Sequence, residues 1–123
     1  VSDLIKKYSD KFLNECYNFF KDDFELYLTA FWMTRFEKNT KLPFHNDNHE
    51  GAEHLFRSGV IYLNDDYDGG YLKFLDHSLT YKPKRLSLVI FDSEYMHEIT
   101  NIVSGARMAL PIWATKNPKK CIL

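Results

Sequence analysis

Cysteine is scarce: Cys16 and Cys121 are the two in 123 residues. Two thiols so far apart make neither a disulfide framework nor a zinc site, so both read as reduced thiols. The ending Cys121-Ile122-Leu123 is one residue short of a prenylation box. An excess of one charge is also missing, since 16 Lys and Arg stand against 17 Asp and Glu for a formal net charge of -1. No basic field of the kind a nucleic-acid binder carries is present, and no nucleic-acid partner is expected. No apolar run approaches the roughly 20 residues of a membrane span, so no membrane partner is expected either. Internal repeats and low-complexity segments are absent. What the chain has is apolar mass, 45% hydrophobic and 16% aromatic residues, mostly Phe and Tyr. That composition suits one packed domain rich in strands. The chain starts at Val1 rather than Met, so it reads as an excised domain or a fragment, with flanking parts possible.

Periodicity divides the chain into a helix, a β core and a tail. Residues 3–21 place Leu4, Tyr8, Phe12, Cys16 and Phe20 on one stripe, which predicts an amphipathic helix packed on a sheet. From residue 24 the helical period is lost. Aromatic and β-branched residues over 24–36 predict one long strand. Residues 37–43 form a polar loop closed by Pro43, and 48–56 a second loop. Strands follow over 58–64 and 70–75, joined by the turn 65–69 as a hairpin. Further extended pieces are predicted at 79–82, 86–91, 97–103 and 107–115. Pro111 lies inside the last of these and calls for a bulge or an unpaired edge there. The β core thus covers about 24–115, and the polar tail 116–123 is expected to be disordered. One helix followed by about eight short strands points to an all-β barrel or double-sheet fold.

The chemistry gathers at Phe44-His45-Asn46-Asp47. Alternate side chains of a strand share a face, so His45 and Asp47 project together. His97 is the best third ligand. Two imidazoles and one carboxylate, with open positions, form the facial site of non-haem Fe(II) oxygenases. Ten residues after His97 stands Arg107, whose planar fork of donors suits a dicarboxylate co-substrate.

Blander readings compete at each motif. His49 and His54 are rival ligands in His49-Glu50-Gly51-Ala52-Glu53-His54, but their spacing is one residue too long for a zinc-protease helix, and Gly51 opposes helix. His77 reads as an exposed turn residue. Asp66-x-Asp68-Gly69 lacks the closing glutamate of a calcium loop, and a turn explains it. Lys82-Pro83-Lys84-Arg85 reads as a solvated turn. Tyr62 and Trp113, taken alone, are equally core aromatics.

Together these residues resemble the catalytic domain of the prolyl hydroxylases, within the Fe(II)- and 2-oxoglutarate-dependent dioxygenases. The match runs from His45-x-Asp47 through Tyr62-Leu63-Asn64-Asp65-Asp66-Tyr67-Asp68-Gly69-Gly70 and Phe74. It continues through Pro83, Leu88-Val89-Ile90-Phe91, His97, Gly105-x-Arg107 and Trp113, covering roughly residues 24–115. The resemblance implies a mainly β fold, a double-stranded β-helix of jelly-roll, cupin-like form with the N-terminal helix on its sheet. It implies His45, Asp47 and His97 as both catalytic residues and iron ligands. Arg107 and Tyr62 would bind the distal carboxylate of 2-oxoglutarate, with Trp113 near the co-substrate. Arg107 and Trp113 are six apart and share a face in an unbulged strand.

The implied cofactors are Fe(II), 2-oxoglutarate and O2, with ascorbate as reductant. The implied reaction is hydroxylation of a prolyl residue in a peptide or protein, with release of succinate and CO2. Arg at the anchor resembles prolyl 3-hydroxylases, oxygen-sensing prolyl hydroxylases and lysyl hydroxylases more than collagen prolyl 4-hydroxylases. A lysyl or small-molecule substrate is the alternative within the superfamily. A cupin-like binding module with a decayed site is the alternative outside it. The nucleic-acid demethylating branch carries a second Arg where Trp113 stands. Leu86 replaces a common glycine, and Phe36 a common co-substrate tyrosine. The compartment stays open between the cytoplasm and, should a signal peptide precede this fragment, the endoplasmic reticulum. Oligomeric state is not legible.

Overall fold

A computed structural model describes residues 2–122, the side chain of Ser2 excepted. The helix α1 (Ser2–Phe20) carries the expected stripe from Tyr8 to Phe20, whereas Leu4 is left exposed near its start. Phe12 and Cys16 are fully buried and pack with Leu26, Leu28, Ile112 and Ala114. Burying one such aromatic contributes about 1.5–3 kcal/mol. Lys21 then takes φ 58°. Its N–H reaches the Tyr17 carbonyl at 3.1 Å and ends the helix. The helix can approach because residue 59 is glycine: a Cβ there would lie 2.6 Å from the Phe12 ring.

The span 24–36 is two strands rather than one, β1 (Tyr27–Phe31) and β2 (Thr34–Phe36). They lie in tandem along one edge of the last strand, and the break falls at Trp32-Met33. Pro111 accounts for it. The Trp32 N–H donates to the Pro111 carbonyl at 3.3 Å, so the edge where residue 111 should offer an N–H faces the gap. Proline has none to offer, and the ladder is interrupted there. The predicted defect therefore sits in the neighbouring strands. The proline strand itself, here β11 (Arg107–Thr115), continues over nine residues at the centre of its sheet.

The remaining strands are β3 (Leu42–His45), β4 (Arg57–Tyr62), β5 (Asp68–Gly69), β6 (Leu72–Phe74), β7 (Leu79–Tyr81), β8 (Leu88–Asp92), β9 (His97–Ile99) and β10 (Ile102–Ser104). One sheet has the order β1-β11-β4-β8 with β2 also on β11, and the other β3-β9-β6-β7. The predicted hairpin of 58–64 with 70–75 does not form. Both edges of β4 are taken by β11 and β8, so the returning strand crosses to the second sheet and pairs with β9 and β7. Gly69 permits the crossing with φ 77°, where a Cβ would lie 2.1 Å from the Asn101 carbonyl oxygen. β5 pairs instead with β10, which separates β9 from β10 within the predicted strand 97–103.

Chain order β2, β3, β4 and again β8, β9, β11 alternates between the two sheets. This winding is the double-stranded β-helix, with α1 on the outer face of the first sheet. Leu72, Phe74, Phe91 and Ile99 fill the space between the sheets. The tail is docked rather than loose: the Ile122 N–H donates to the Leu28 carbonyl at 2.9 Å, and Thr29 Oγ1 to the Lys120 carbonyl at 2.7 Å. The outer edge of β1 offers those unpaired groups. Among the described residues no helix is long and apolar enough to cross a membrane.

Arg57 locks helix to sheet. Its guanidinium binds Asp22 through Nε and Nη2, binds Asp92 through Nη1 at 2.8 Å, and lies between the Phe20 and Phe56 rings at 3.8 and 3.9 Å.

Candidate metal centre

His45 ends β3 and His97 opens β9. The two strands pair with these residues opposite each other, which brings the ring centroids to 4.3 Å. Asp47 reaches them differently from expectation. It lies in the turn beyond β3, not in the strand, and is held by its own N–H on the Ser93 carbonyl at 2.9 Å. The bend returns it to the side that strand alternation alone would have given.

His45 Nε2 and His97 Nε2 lie 3.3 and 3.4 Å from Asp47 Oδ1, and one donor atom from each residue falls within 4.8 Å of the others. Each Nδ1 sits 2.8 Å from a backbone carbonyl two residues back, Pro43 for His45 and Tyr95 for His97. A carbonyl only accepts, so Nδ1 carries a proton; Nε2 faces Asp47, donating to it when the ring is protonated and offering its lone pair when a metal takes that proton's place. Asp47 Oδ2 is already committed. It accepts from Ser58 Oγ at 2.6 Å and from Trp113 Nε1 at 2.8 Å, and Ser58 Oγ is in turn 2.8 Å from Ser93 Oγ. Burial alone would push the Asp47 carboxyl up, but hydrogen bonds from His45, His97 and Ser58 hold it well below the usual carboxylate range. The same bond to Asp47 raises the His45 imidazole against its burial. Three donors with one oxygen facing inward leave room for further ligands, a donor set that suits Fe(II).

Among the described residues this trio is the one compact donor group. His49 lines the adjoining cavity without joining it, and His77 stacks on Tyr95 at 4.6 Å.

Arg107, at the start of β11, is 3% exposed. Nη2 donates to Tyr62 Oη at 3.4 Å, and the guanidinium lies over Phe36 and Tyr62 at 5.2 and 5.0 Å. Asn64 brackets it, accepting from the Met108 N–H at 2.9 Å and donating to the Ala106 carbonyl at 2.7 Å. No carboxylate among the described residues pairs with Arg107, and its Nε has no hydrogen-bond partner. Tyr67 Oη is likewise buried without one; burial pushes that phenol up and the Arg107 charge draws it back. A buried cation with unsatisfied donors calls for an anion, so the residues fit a carboxylate-bearing co-substrate.

A cavity of about 420 Å3 joins the two ends, with His45, Asp47, His97 and Arg107 all on its wall. Trp113 lines it too and shares the inward face of β11 with Arg107, as parity predicts. Its indole N–H donates to Asp47 Oδ2. Tyr62 is fully buried behind Arg107. Sequence reasoning missed Ser58, Ser93 and the clamp by Asn64. The signal for Ser58 was present: a hydroxyl at an inward position of β4, in line with Val60 and Tyr62.

The family model of the 2OG-Fe(II) oxygenase superfamily matches residues 31–115. Over 69 residues the chain is 39% identical to human prolyl 3-hydroxylase 3, covering 50% of this chain and 9% of that protein. It therefore spans about a tenth of the length of that curated relative. A 2OG-Fe(II) oxygenase family oxidoreductase from Burkholderia pseudomallei superposes with TM-score 0.77 at 17% identity, covering 85% of this chain and 50% of that one. The 2OG complex of a viral collagen prolyl hydroxylase from Paramecium bursaria Chlorella virus-1 gives TM-score 0.74 at 18% identity, covering 94% and 72%. At these identities the structural likeness establishes the fold alone.

Proposed function

The chain belongs to the 2OG-Fe(II) oxygenase superfamily, and on that premise we propose that it hydroxylates a prolyl residue of a peptide or protein, converting 2-oxoglutarate to succinate and CO2. The observation that carries the reading is the pairing, within one cavity, of the His45–Asp47–His97 donor group with a buried Arg107 that has no carboxylate partner among the described residues. His45, Asp47 and His97 would hold Fe(II), and Arg107 would hold the far carboxylate of 2-oxoglutarate. The bound iron supplies the O2 chemistry that inserts oxygen into an unactivated C–H bond. The chain's own residues fix geometry and keep water out. Ser58 and Trp113 hold one Asp47 oxygen so that the other faces the imidazoles. Phe36 and Tyr62 give the guanidinium an apolar seat, which strengthens its hold on an anion.

The cavity wall favours a prolyl over a lysyl target. Asp47 is its one acidic side chain, and it is engaged by His45, His97, Ser58 and Trp113. A lysyl ammonium would find no free counter-charge, whereas a prolyl ring brings neither charge nor N–H. The identity with a prolyl 3-hydroxylase supports the same choice.

The test incubates the protein with Fe(II), ascorbate, 2-oxoglutarate and matched peptides bearing Pro, Lys or Ala at the centre. A gain of one oxygen on the Pro peptide alone is expected. Gain on Lys alone moves the protein to lysyl chemistry. Succinate that no peptide stimulates points to a small-molecule substrate, and no succinate at all points to a decayed binding module.

A further inference from the structure

We propose that Trp32 is a substrate-positioning residue that seats a prolyl ring flanking the target residue; this rests on the prolyl reading above. Trp32 is 53% exposed, an unusual position for a side chain with so much apolar surface. It lines the same cavity as the metal-competent residues. Its ring lies 4.4 Å from that of Trp113 at an interplanar angle of 44°, and the Trp113 N–H is on Asp47 Oδ2. The exposed indole is thus one ring removed from a group that fixes the metal-binding carboxylate.

Its position follows from the sequence. The interruption opposite Pro111 takes residues 32 and 33 out of the strands, and both are left exposed, Trp32 on the cavity and Met33 at 64%. Leu42 from β3, and Ala52 and Leu55 from the 48–56 loop, complete an apolar lip on the cavity. Among the described residues lining the cavity, His49 is the one titratable side chain outside the metal-competent trio and Arg107, so the rest of the wall suits a neutral ligand. A prolyl ring suits it, because it lacks a donor, has a fixed φ and presents a flat face of C–H groups. Aromatic-lined grooves recognise proline-rich segments because a polyproline II chain arrives already extended, with little ordering cost.

The chain has two tryptophans, Trp32 and Trp113, so its indole emission reports on this lip. The probe is a short blocked oligoproline, with a glycine–serine peptide of equal length as control. Emission of the metal-free protein is expected to shift with oligoproline and not with the control. Trp32→Ala should abolish the shift. It should also raise the peptide KM about tenfold or more, the loss of one aromatic contact, while the 2-oxoglutarate KM moves less than about twofold. Trp32→Phe should restore most of the peptide affinity. A peptide KM in Trp32→Ala within about twofold of wild type, with proline still hydroxylated, removes the seat and leaves the prolyl reading standing. An equal rise in both KM values also overturns the proposal, since Trp32 would then act as a brace for Trp113. If neither chain binds or hydroxylates any proline peptide, the prolyl reading fails and the seat falls with it.

Discussion

Ser58 and Trp113 stand opposite each other across β4 and β11, and both donate a hydrogen bond to Asp47 Oδ2, at 2.6 and 2.8 Å. The pairing of two strands in the first sheet thereby aims a carboxylate that grows from a loop beside the second. Partners of this kind orient a ligand and tune its charge, and their loss weakens metal binding by about 10–100-fold. Ser58→Ala and Trp113→Phe are each expected to lower Fe(II) affinity within that range in an anaerobic titration, with thermal stability monitored alongside. Wild-type affinity in both variants would mean that Oδ2 needs no fixing.

At the other end of the cavity, Arg107 has no carboxylate partner among the described residues, and its Nε has no hydrogen-bond partner. Arg107→Ala should raise the 2-oxoglutarate requirement at least tens-fold, since a lost charge pair in a dry pocket costs about 2–5 kcal/mol, while Fe(II) stays bound. Tyr62→Phe removes one weak partner of the guanidinium and should cost about 0.5–1.5 kcal/mol. The 2-oxoglutarate dependence of succinate formation, checked by equilibrium binding, reads both. Equal dependence in wild type and Arg107→Ala would remove Arg107 as the anchor.

Arg57 concerns stability instead. Arg57→Ala strands Asp22 and Asp92, both less than a third exposed, and should lower the unfolding free energy in urea by about 3–5 kcal/mol. Arg57→Lys should recover little, because an ammonium cannot reproduce the fork or lie flat between Phe20 and Phe56. An unchanged urea midpoint would show that Phe12 and its neighbours alone secure the helix.

Much of this was legible beforehand. The α1 stripe and the inward face shared by Arg107 and Trp113 followed from spacing, because periodicity encodes which side chains share a face; the His/Asp/His donors were read from residue type, while strand pairing and a turn at Asp47 bring them together. The strand pairings were less legible. Asp65-Asp66-Tyr67-Asp68-Gly69 looks the same whether the chain turns back on its neighbour or crosses to another sheet. The choice depends on β11 and β8 occupying both edges of β4, and β11 begins some forty residues later. The docked tail and the Arg57 clamp likewise rest on distant partners, Leu28 for Ile122, and Asp22 and Asp92 for Arg57. Pro111 was seen as a defect, but which strand would carry it depended on the neighbour it faces.

Cys16 gives a pH test of the helix–sheet core. Burial pushes its thiol up to about 12, whereas an unfolded thiol ionises near 8.5. The folded chain therefore keeps Cys16 protonated where the unfolded chain does not, and this contribution to stability, full below pH ~8.5, declines as the pH rises through that window. Alkylation at pH 8 should spare Cys16 in the folded protein and reach it after denaturation. Rapid labelling of folded Cys16 would show that α1 opens readily from the sheet.

The central claim is that His45, Asp47 and His97 converge on one metal ion while His49, nearby on the cavity wall, does not contribute. Anaerobic Fe(II) titration of the wild type, His45→Ala and His49→Ala proteins tests it directly. The expected result is one tight site in the wild type, its loss in His45→Ala and its retention in His49→Ala. Binding that survives His45→Ala and disappears with His49→Ala would contradict the assignment.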